Sequence, residues 1–378
     1  MIAAHRPTLI LTIGLCLWLS GCASESFTVW PGFSDYFTRY PPAQQSPAPA
    51  QQALLEKYRP RIFKYKDQQG PIDFYRQYIA NGTLQAQGKH IASDVTPQLL
   101  NKYVNDPTAL FSYNGSPLIS APATVYGRVD YDSLNYHSNT YELQFLTYNL
   151  VFPASGMING LGMLATAGLG IAGNLTDWHQ LDHYVGLSVV LHQQQPVAIM
   201  LQQHNYQTTY VVGSELELPT DNRVMVDIAL RSNELYLHQP QKAEHPAVSF
   251  ISAKNIEFMI SGDNKPMMAG FDTTNGNTEV QYTLQYLSPA DAFYQFKGQL
   301  GKSRLLPGRD GPPGADYLTL PGLMPRAIRL AAGYRTDSLA HETDKISALF
   351  NDASFSINED ALERYIHDFV VAAGLTNR

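Results

Sequence analysis

The chain has 378 residues, enough for one large domain or two smaller ones, and its 33 acidic side chains outnumber 26 lysines and arginines to give a net charge of −7. This mildly acidic balance, without a run of basic residues, argues against nucleic acid and anionic lipid headgroups as partners. Charged residues make up only 16% of the chain and 23 residues are tyrosine, a composition that favours strands and weakly charged surfaces.

The N-terminus has the organisation of a secretory signal peptide. Arg6 precedes an apolar run at residues 9–19 that is too short to cross a bilayer, and small residues follow it. The sequence LSGC at 19–22 resembles the lipobox of bacterial lipoproteins, which implies removal of residues 1–21 and a covalent lipid on Cys22. Ala23 then implies the outer membrane, because aspartate at that position is the usual signal for retention in the inner membrane.

Cysteine use excludes an internal disulfide in the processed chain. Cys16 lies in the segment that is removed, so Cys22 alone remains. Any metal site would therefore use only histidine, aspartate, glutamate and backbone ligands.

Residues 22–52 are predicted to form the lipid anchor and a tether. Residues 41–52, PPAQQSPAPAQQ, contain only Pro, Ala and Gln apart from Ser46, so they should form an extended spacer. The preceding segment, SFTVWPGFSDYFTRY at 26–40, is rich in aromatic residues. It lies either in the membrane interface beside the lipid or folded back on the protein body.

Strand patterns dominate residues 53–285. Two short helices are expected first, over 72–79 and 96–104, the second capped by Ser93 or Asp94. Apolar runs and alternating patterns then predict strands at 123–131, 140–152, 184–192, 197–203, 208–212, 224–231 and 235–238. Because close turns such as QQQP separate them, we predict a mainly β chain with added helices (α+β) and an antiparallel β-sandwich core.

Residues 286–378 are predicted to form a helical part that packs on the sandwich, so that helices flank the core at both ends of the chain. Helices are expected at 289–299 and 341–350. The sequence SINE at 356–359 is a capping box for a last helix that ends at Gly374 and has four apolar residues on one face, namely Leu362, Ile366, Phe369 and Val370.

No complete catalytic motif occurs in the sequence. GLGIAG at 168–173 fits the spacing of a dinucleotide-binding loop, but no strand pattern precedes it and no acidic residue follows about 20 positions later. Gly301-Lys302-Ser303 ends like a phosphate-binding loop, but Phe296 stands where the first glycine is required. The chain also lacks G-x-S-x-G, protein-kinase and H-E-x-x-H patterns. We therefore predict no catalytic residue and favour a protein that is not an enzyme.

Residues 155–174, SGMINGLGMLATAGLGIAGN, form an apolar, uncharged insertion with six glycines. The segment is too short and too rich in glycine for a transmembrane helix. It is either a connection packed against the sandwich or an insertion that contacts lipid or a partner protein through Gly160, Leu161, Met163 and Leu164.

The octapeptide DWHQLDHY at 177–184 concentrates residue types that bind metals. If a strand begins near Leu181, alternation places Asp182 and Tyr184 on one face and His183 on the other. His204 follows the strand after the next hairpin, so His179, Asp182 and His204 form a candidate site for a divalent metal ion. The alternative is the polar edge of a strand, whose histidines make ordinary hydrogen bonds.

Four segments in this region carry a resemblance to known families. FLTYNLVFP, DHYVGLSVVL, PVAIMLQQHN and VDIALRSNELY are similar in order to segments of the vacuolar-sorting-related and necrosis-inducing toxin families. The resemblance covers residues 141–238 and implies a β-sandwich with divalent-metal ligands at His179 and Asp182. The chain departs from the family pattern because Tyr184 replaces a ligating glutamate, His183 a tryptophan and Asn233 a histidine.

Two hypotheses of function follow. In the first, an outer-membrane lipoprotein is held in the membrane by the lipid on Cys22, and its β domain binds an envelope protein or assists envelope assembly. In the second, residues 177–184 serve a metal-dependent enzyme or a toxin-like binder of lipid headgroups. The second requires His179, Asp182 and His204 to lie within a few Å of one another.

Overall fold

A computed structural model describes residues 44–114, 121–155, 179–203, 206–248, 268–274, 276–302, 311–316, 325–334, 350–351, 356–357 and 359–377 of the chain. The fold is mixed, and strands predominate over helices among these residues. The predicted combination of many strands with added helices is therefore present.

The strands are arranged along the chain as β1 Arg61–Lys64, β2 Gly82–Ala86, β3 Lys89–Ala92, β4 Leu110–Tyr113, β5 Ala123–Tyr136, β6 Asn139–Ser155, β7 His179–His192, β8 Gln195–Gln203, β9 Tyr206–Val211, β10 Met225–Ile228, β11 Leu235–Leu237, β12 Glu244–Val248, β13 Met268–Thr273, β14 Thr278–Glu279, β15 Tyr282–Tyr286, β16 Phe350–Asn351 and β17 Ser356–Ile357. The α-helices are α1 Pro49–Lys57, α2 Pro97–Lys102, α3 Ala292–Gln295, α4 Arg326–Ala332 and α5 Glu359–Ala372. A π-helical turn at Phe74–Tyr78 and 3-10 turns at Ile79–Asn81 and Leu375–Asn377 complete the described elements.

The largest sheet has six strands in the order β15-β5-β6-β7-β8-β9. Antiparallel hairpins join β5 to β6 and β7 to β8. The turn between β7 and β8 is made by Gln193 and Gln194, whose φ angles are 49° and 63°. Positive φ at both positions suits the twist of a two-residue hairpin, so this predicted turn forms even without glycine.

A second sheet has four strands in the order β11-β10-β1-β14, and a third has the order β3-β2-β4. The expectation of purely antiparallel sheets is wrong at two pairings, because β15 runs parallel to β5 and β1 runs parallel to β10. Each parallel pair joins strands that lie far apart in the sequence. Alternation within a strand carries no information about such a partner.

Apolar side chains cover both faces of the six-stranded sheet. One core cluster combines its inner face with Val226, Ile228 and other residues of the four-stranded sheet, so the two sheets pack against each other. On the outer face, a second cluster contains α3 and the segment from Ile72 to Phe111, while a third contains α4 and α5. Strands buried on both faces are expected to show nearly continuous apolar runs, as β7 does at residues 185–191.

A buried ionic network joins the C-terminal part to β5. Arg128 is 1% exposed, its Nε lies 3.0 Å from Asp130 Oδ2, and its guanidinium also contacts Asp316 and stacks 4.0 Å above the ring of Tyr294. Arg326 at the start of α4 bonds the same two carboxylates. Burial raises the pKa of Asp130 to about 6, although Arg128 acts in the opposite direction. The pairing with Arg128 therefore offsets only part of the cost of removing the Asp130 carboxylate from water.

Several helices differ from their predicted bounds. The cap of α2 is Thr96, whose hydroxyl accepts from the Leu99 amide, and not Ser93 or Asp94. The helix expected at 289–299 is limited to α3, because the chain then becomes extended and the Phe111 amide bonds the Gln299 carbonyl beside β4. Most of the helix expected at 341–350 lies outside the described residues. The last helix agrees with the prediction and is followed by Gly374 at φ 62°.

The packing of α5 predicts a large effect of its central aromatic residue. Phe369 is fully buried in the third cluster, so Phe369→Ala should lower the free energy of unfolding by about 3–5 kcal/mol in urea denaturation followed by circular dichroism. Val371 is 53% exposed on the same helix, and Val371→Ala should change the stability by less than about 0.5 kcal/mol. Equal effects of the two substitutions would contradict this packing.

Candidate functional site

Most of the residues predicted to bind a metal, a lipid or a partner lie outside the described residues. This holds for Cys22, for His204 and for the insertion contacts Gly160, Leu161, Met163 and Leu164. His179 begins β7 opposite Ser155, and only its place in the strand is described. Asp182 is described fully and is completely buried.

A bulge in β7 separates the side chains of DWHQLDHY. Leu150 pairs with Val185 and Phe152 pairs with Asp182, so β7 has one more residue than β6 in this interval. Asp182 therefore lies on the inner face with Phe152, while Tyr184 belongs to an outer cluster and the ring of His183 lies 4.6 Å from it. The prediction that Asp182 and Tyr184 share a face opposite His183 is wrong, because simple alternation fails at a bulge.

Asp182 is bonded by a residue of the turn between β10 and β11. Asn233 Nδ2 donates to Asp182 Oδ2 over 2.9 Å and to the Ala154 carbonyl over 3.1 Å. Asn233 has φ 65°, a conformation that asparagine tolerates better than most residues. Two of the four segments compared in the sequence analysis, DHYVGLSVVL and VDIALRSNELY, are thus in contact through Asp182 and Asn233.

The described residues contain no group of three or more His, Cys, Asp or Glu side chains placed to hold a metal ion. The candidate set His179, Asp182 and His204 extends beyond the part of the chain whose side chains are described. A metal at these three residues therefore stays a prediction.

The same turn places a second buried acidic group on the outer face of the four-stranded sheet, away from the shared core. Tyr236 Oη lies 3.1 Å from Glu234 Oε2 and 2.9 Å from Asp272 Oδ2. All three side chains are at most 8% exposed. The tyrosine hydroxyl has one hydrogen, which it can donate to either carboxylate.

Burial moves the pKa values of Asp272, Tyr236 and His245 away from their usual ranges. Burial, followed by the neighbouring Glu234, raises the pKa of Asp272 well above its usual range, and hydrogen bonds with Ser232 and Tyr236 offset only part of this effect. His245 stacks on Tyr236 with a centroid distance of 4.0 Å, and its Nε2 lies 3.0 Å from Thr274 Oγ1. Burial and the positive charge of Lys242 lower the pKa of His245 to about 4, so this imidazole is neutral at pH 7.

A histidine–carboxylate pair lies on the same outer face. His238 Nδ1 is 2.9 Å from Asp227 Oδ1, and the imidazole stacks on Phe63 with a centroid distance of 4.4 Å. Burial raises the pKa of Asp227, and the hydrogen bond with His238 partly reverses the shift. Because Nδ1 is held by the carboxylate, the other ring nitrogen, Nε2, is the one that can accept a proton or bind a ligand.

A concavity of about 470 Å³ opens at the end of the sheets, beside the turn between β7 and β8. It is lined by His192, Gln193, Gln195, Pro196, Val212, Glu217, Leu218 and Asn222. His192 Nδ1 lies 2.9 Å from the Glu142 carbonyl, so this nitrogen carries the hydrogen and Nε2 is the acceptor of the neutral ring. Neutral amides, one carboxylate and an apolar wall suit a small polar ligand or a loop of a partner.

Sequence reasoning did not identify the Glu234–Tyr236–Asp272 group. A signal was present in ELYLH at 234–238, where three polar residues alternate with two leucines and must share one face of a strand. Asp272 and His245 carry no such signal, because their approach depends on pairing of β12 with β13 and on the position of that pair over β11.

Comparison with known proteins adds no relative: no protein-family model, no curated protein and no solved structure matches this chain. Among the described helices, none is long and apolar enough to span a membrane. The residues of this chain alone therefore indicate its function.

The contact of Asn233 with Asp182 predicts a measurable coupling. We expect Asn233→Gly, which keeps the backbone conformation accessible, to lower the free energy of unfolding by about 1–3 kcal/mol because the buried carboxylate loses a donor. Combination with Asp182→Ala in a double-mutant cycle should give a coupling energy of about 0.5–3 kcal/mol.

Asn222 provides the matched control for this cycle. It also has a positive φ, of 57°, but it is exposed, so Asn222→Gly should change the stability by less than about 0.5 kcal/mol and show no coupling with Asp182→Ala. Additive effects of Asn233→Gly and Asp182→Ala would rule out the contact.

Proposed function

We propose that this protein is a lipoprotein anchored in the outer membrane by a lipid on Cys22, with a folded domain that serves as a binding or envelope-assembly module. The observation that carries the proposal is the sequence LSGC at 19–22 after a basic residue and a short apolar run. Ala23 supports outer-membrane localisation. The proline-, alanine- and glutamine-rich residues before helix α1, at 41–48, would give the domain reach from the membrane surface.

The folded domain begins within the predicted tether. Helix α1 begins at Pro49, so the expectation of an extended spacer is wrong for residues 49–52, and Leu55 of this helix together with the following Tyr58 belongs to the main core. The lipid-bearing cysteine is thus separated from the first core residue by about thirty positions. We further infer that the six- and four-stranded sheets form a β-sandwich, because side chains from both contribute to one core cluster.

The binding role is supported by surface features and by charge. The concavity beside the β7–β8 turn has exposed amide groups at Gln193, Gln195 and Asn222 that are suited to contact an envelope protein. The insertion at 155–174 offers a second contact through Gly160, Leu161, Met163 and Leu164. The net charge of −7 disfavours nucleic acid as the partner.

A second function, a metal-dependent enzyme or a binder of lipid headgroups, is favoured by one specific observation. Asp182 is completely buried at the end of a strand, only three residues after His179. Buried carboxylates are commonly paired or bound to metal, and here Asn233 supplies one partner. A divalent ion bound by His179, Asp182 and His204 would supply the positive charge that the neutral amide of Asn233 does not.

If the lipid is attached to Cys22, incorporation of labelled fatty acid should require Cys22 and not Cys16. In cells that are fed radioactive palmitate, the protein should be labelled and should sediment with the outer membrane. Cys22→Ser should abolish the label and release the protein from the membrane, whereas Cys16→Ser should keep both because Cys16 lies in the segment that is removed. Persistent labelling of Cys22→Ser would contradict the anchor.

Metal analysis separates the two functions. For the binding module, we expect less than one metal ion per chain in protein purified without chelator, and the same result for a His179→Ala, Asp182→Ala double variant. His90→Ala, at an exposed histidine, serves as a control for adventitious binding. One metal ion per chain in the parent and the control, together with its loss in the double variant, would favour the metal-dependent function instead.

A further inference from the structure

The concavity beside the β7–β8 turn is shaped by hydrogen bonds of the fold. On one side, the Tyr58 hydroxyl donates to the Gln194 carbonyl in the turn itself over 3.4 Å. On the other side, β9 is followed by a tight turn in which the amide of Gly213, at φ 85°, donates to the Leu216 carbonyl over 2.9 Å. Glu217 comes directly after this turn and lines the concavity. The backbone around the site is therefore held in place before any ligand binds.

The polar residues that line the concavity are rich in hydrogen-bond acceptors. Glu217 is exposed, and its ionised carboxylate can only accept hydrogen bonds. His192 is 7% exposed and its Nδ1 is bonded to the Glu142 carbonyl over 2.9 Å, so Nε2 is the acceptor of the neutral imidazole. The concavity therefore suits a ligand that presents several N–H donors. Further carbonyl oxygens come from three amide side chains, Gln193, Gln195 and Asn222.

No lysine or arginine is present among the described residues that line the concavity. Basic side chains of neighbouring segments have other contacts. Arg223 is adjacent to a lining residue in the sequence, but its Nε donates to the Arg59 carbonyl over 2.9 Å. The Lys57 ammonium lies 4.6 Å from the ring centroid of Tyr58. With Glu217 as its charged group, the concavity is electrostatically complementary to a cation.

The other lining residues are apolar and partly buried, namely Pro196, Val212 and Leu218. Such a surface packs against the methylene groups of a long basic side chain, while the charged end of that side chain reaches polar groups. Arginine fits this combination better than lysine, because its planar guanidinium has five N–H donors and is less strongly hydrated than an ammonium. The volume of about 470 Å³ also lies in the range of ligand sites, roughly 300–1,000 Å³.

We propose that this concavity binds the guanidinium of an arginine side chain on the envelope partner, with Glu217 as its counter-ion and His192 Nε2 as a further acceptor. The inference rests on the binding role proposed for the domain and gives that role a partner chemistry, a protein segment with an exposed arginine. The Glu217 carboxylate and the amide oxygens accept from the guanidinium N–H groups. The methylene groups of the arginine pack on Pro196, Val212 and Leu218.

Calorimetric titration of the full-length protein in an uncharged detergent tests the proposal. The probe is Nα-acetyl-arginine methylamide, and its control is the citrulline analogue, which has the same length but an uncharged urea group. We expect the arginine probe to bind at one site per chain and the citrulline probe to bind about tenfold more weakly, because it lacks the charge-assisted bond with Glu217. Equal affinities, or no binding of the arginine probe, would overturn the proposal.

Two further probes identify the source of the cation. Nα-acetyl-lysine methylamide should bind more weakly than the arginine probe, because an ammonium has fewer donors and is more strongly hydrated. Phosphoethanolamine represents the headgroup of a lipid, and it should also bind more weakly, because none of the described lining residues is a lysine or arginine that could meet its phosphate. Tighter binding of phosphoethanolamine than of the arginine probe would indicate a lipid-headgroup site and contradict the proposal.

Variants of the lining residues locate the bound guanidinium. Glu217→Gln should lower the affinity for the arginine probe about tenfold and abolish its advantage over the citrulline probe. His192→Asn keeps a donor for the Glu142 carbonyl but removes Nε2, so it should also weaken arginine binding. Asp221→Asn is the matched control, because Asp221 is exposed outside the lining and its replacement can still accept from the Arg223 amide. The control should change the affinity by less than about twofold. An equal loss in Asp221→Asn and Glu217→Gln would show a general effect of charge and rule out the site.

Failure of the arginine site and failure of the lipid anchor can be distinguished. A protein that incorporates palmitate at Cys22 but does not bind the arginine probe would contradict the arginine site alone. A protein that binds the arginine probe but is not labelled at Cys22 would contradict the anchor alone.

Discussion

Strand β7 is buried on both faces, and most of the structure is arranged to cover it. Val189 packs into the core between the two larger sheets, while its neighbour Val190 packs on the other side against the cluster that contains α4 and α5. Near the start of the strand, Leu181 and Tyr184 are covered by a separate aromatic cluster. A central strand of this composition is stable only when layers on both sides remove its side chains from water.

Burial of the six-stranded sheet on both faces also explains why the buried polar side chains in this region are hydrogen-bonded. Any carboxylate or amide that enters such a core must find a partner or lose the hydrogen bonds it made with water. The turn between β10 and β11 meets this requirement in two directions. Asn233 extends to Asp182 on the inner side, whereas Glu234 joins Tyr236 and Asp272 on the outer side. The six residues between β10 and β11 thus connect strand β7 with the pair β12–β13.

Local patterns in the sequence were sufficient to locate the central strands, since all seven strands predicted between residues 123 and 238 exist, although the end of β5 and the start of β7 differ by five residues from the prediction. They were insufficient for β1 and β15, which are short and find parallel partners far along the chain. The bulge in β7 could not be predicted from the sequence either. The positive φ at Leu181 and the shifted register arise from pairing with β6. The polar residues of DWHQLDHY are neighbours in the sequence, but their side chains therefore do not all lie on the same face of the sheet.

The ionic network around Arg128 makes the packing of the six-stranded sheet depend on residues in the last part of the chain. Asp316 and Arg326 follow β5 by nearly two hundred residues, yet they complete the surroundings of a guanidinium that is almost fully buried. A chain cut before residue 311 would keep strands β1 to β15 but leave the Arg128 guanidinium without Asp316, and its carboxylate partner Asp130 without Arg326. Proteolytic loss of the C-terminus should therefore expose the outer face of the sheet to water and make the remaining fragment a substrate for further degradation.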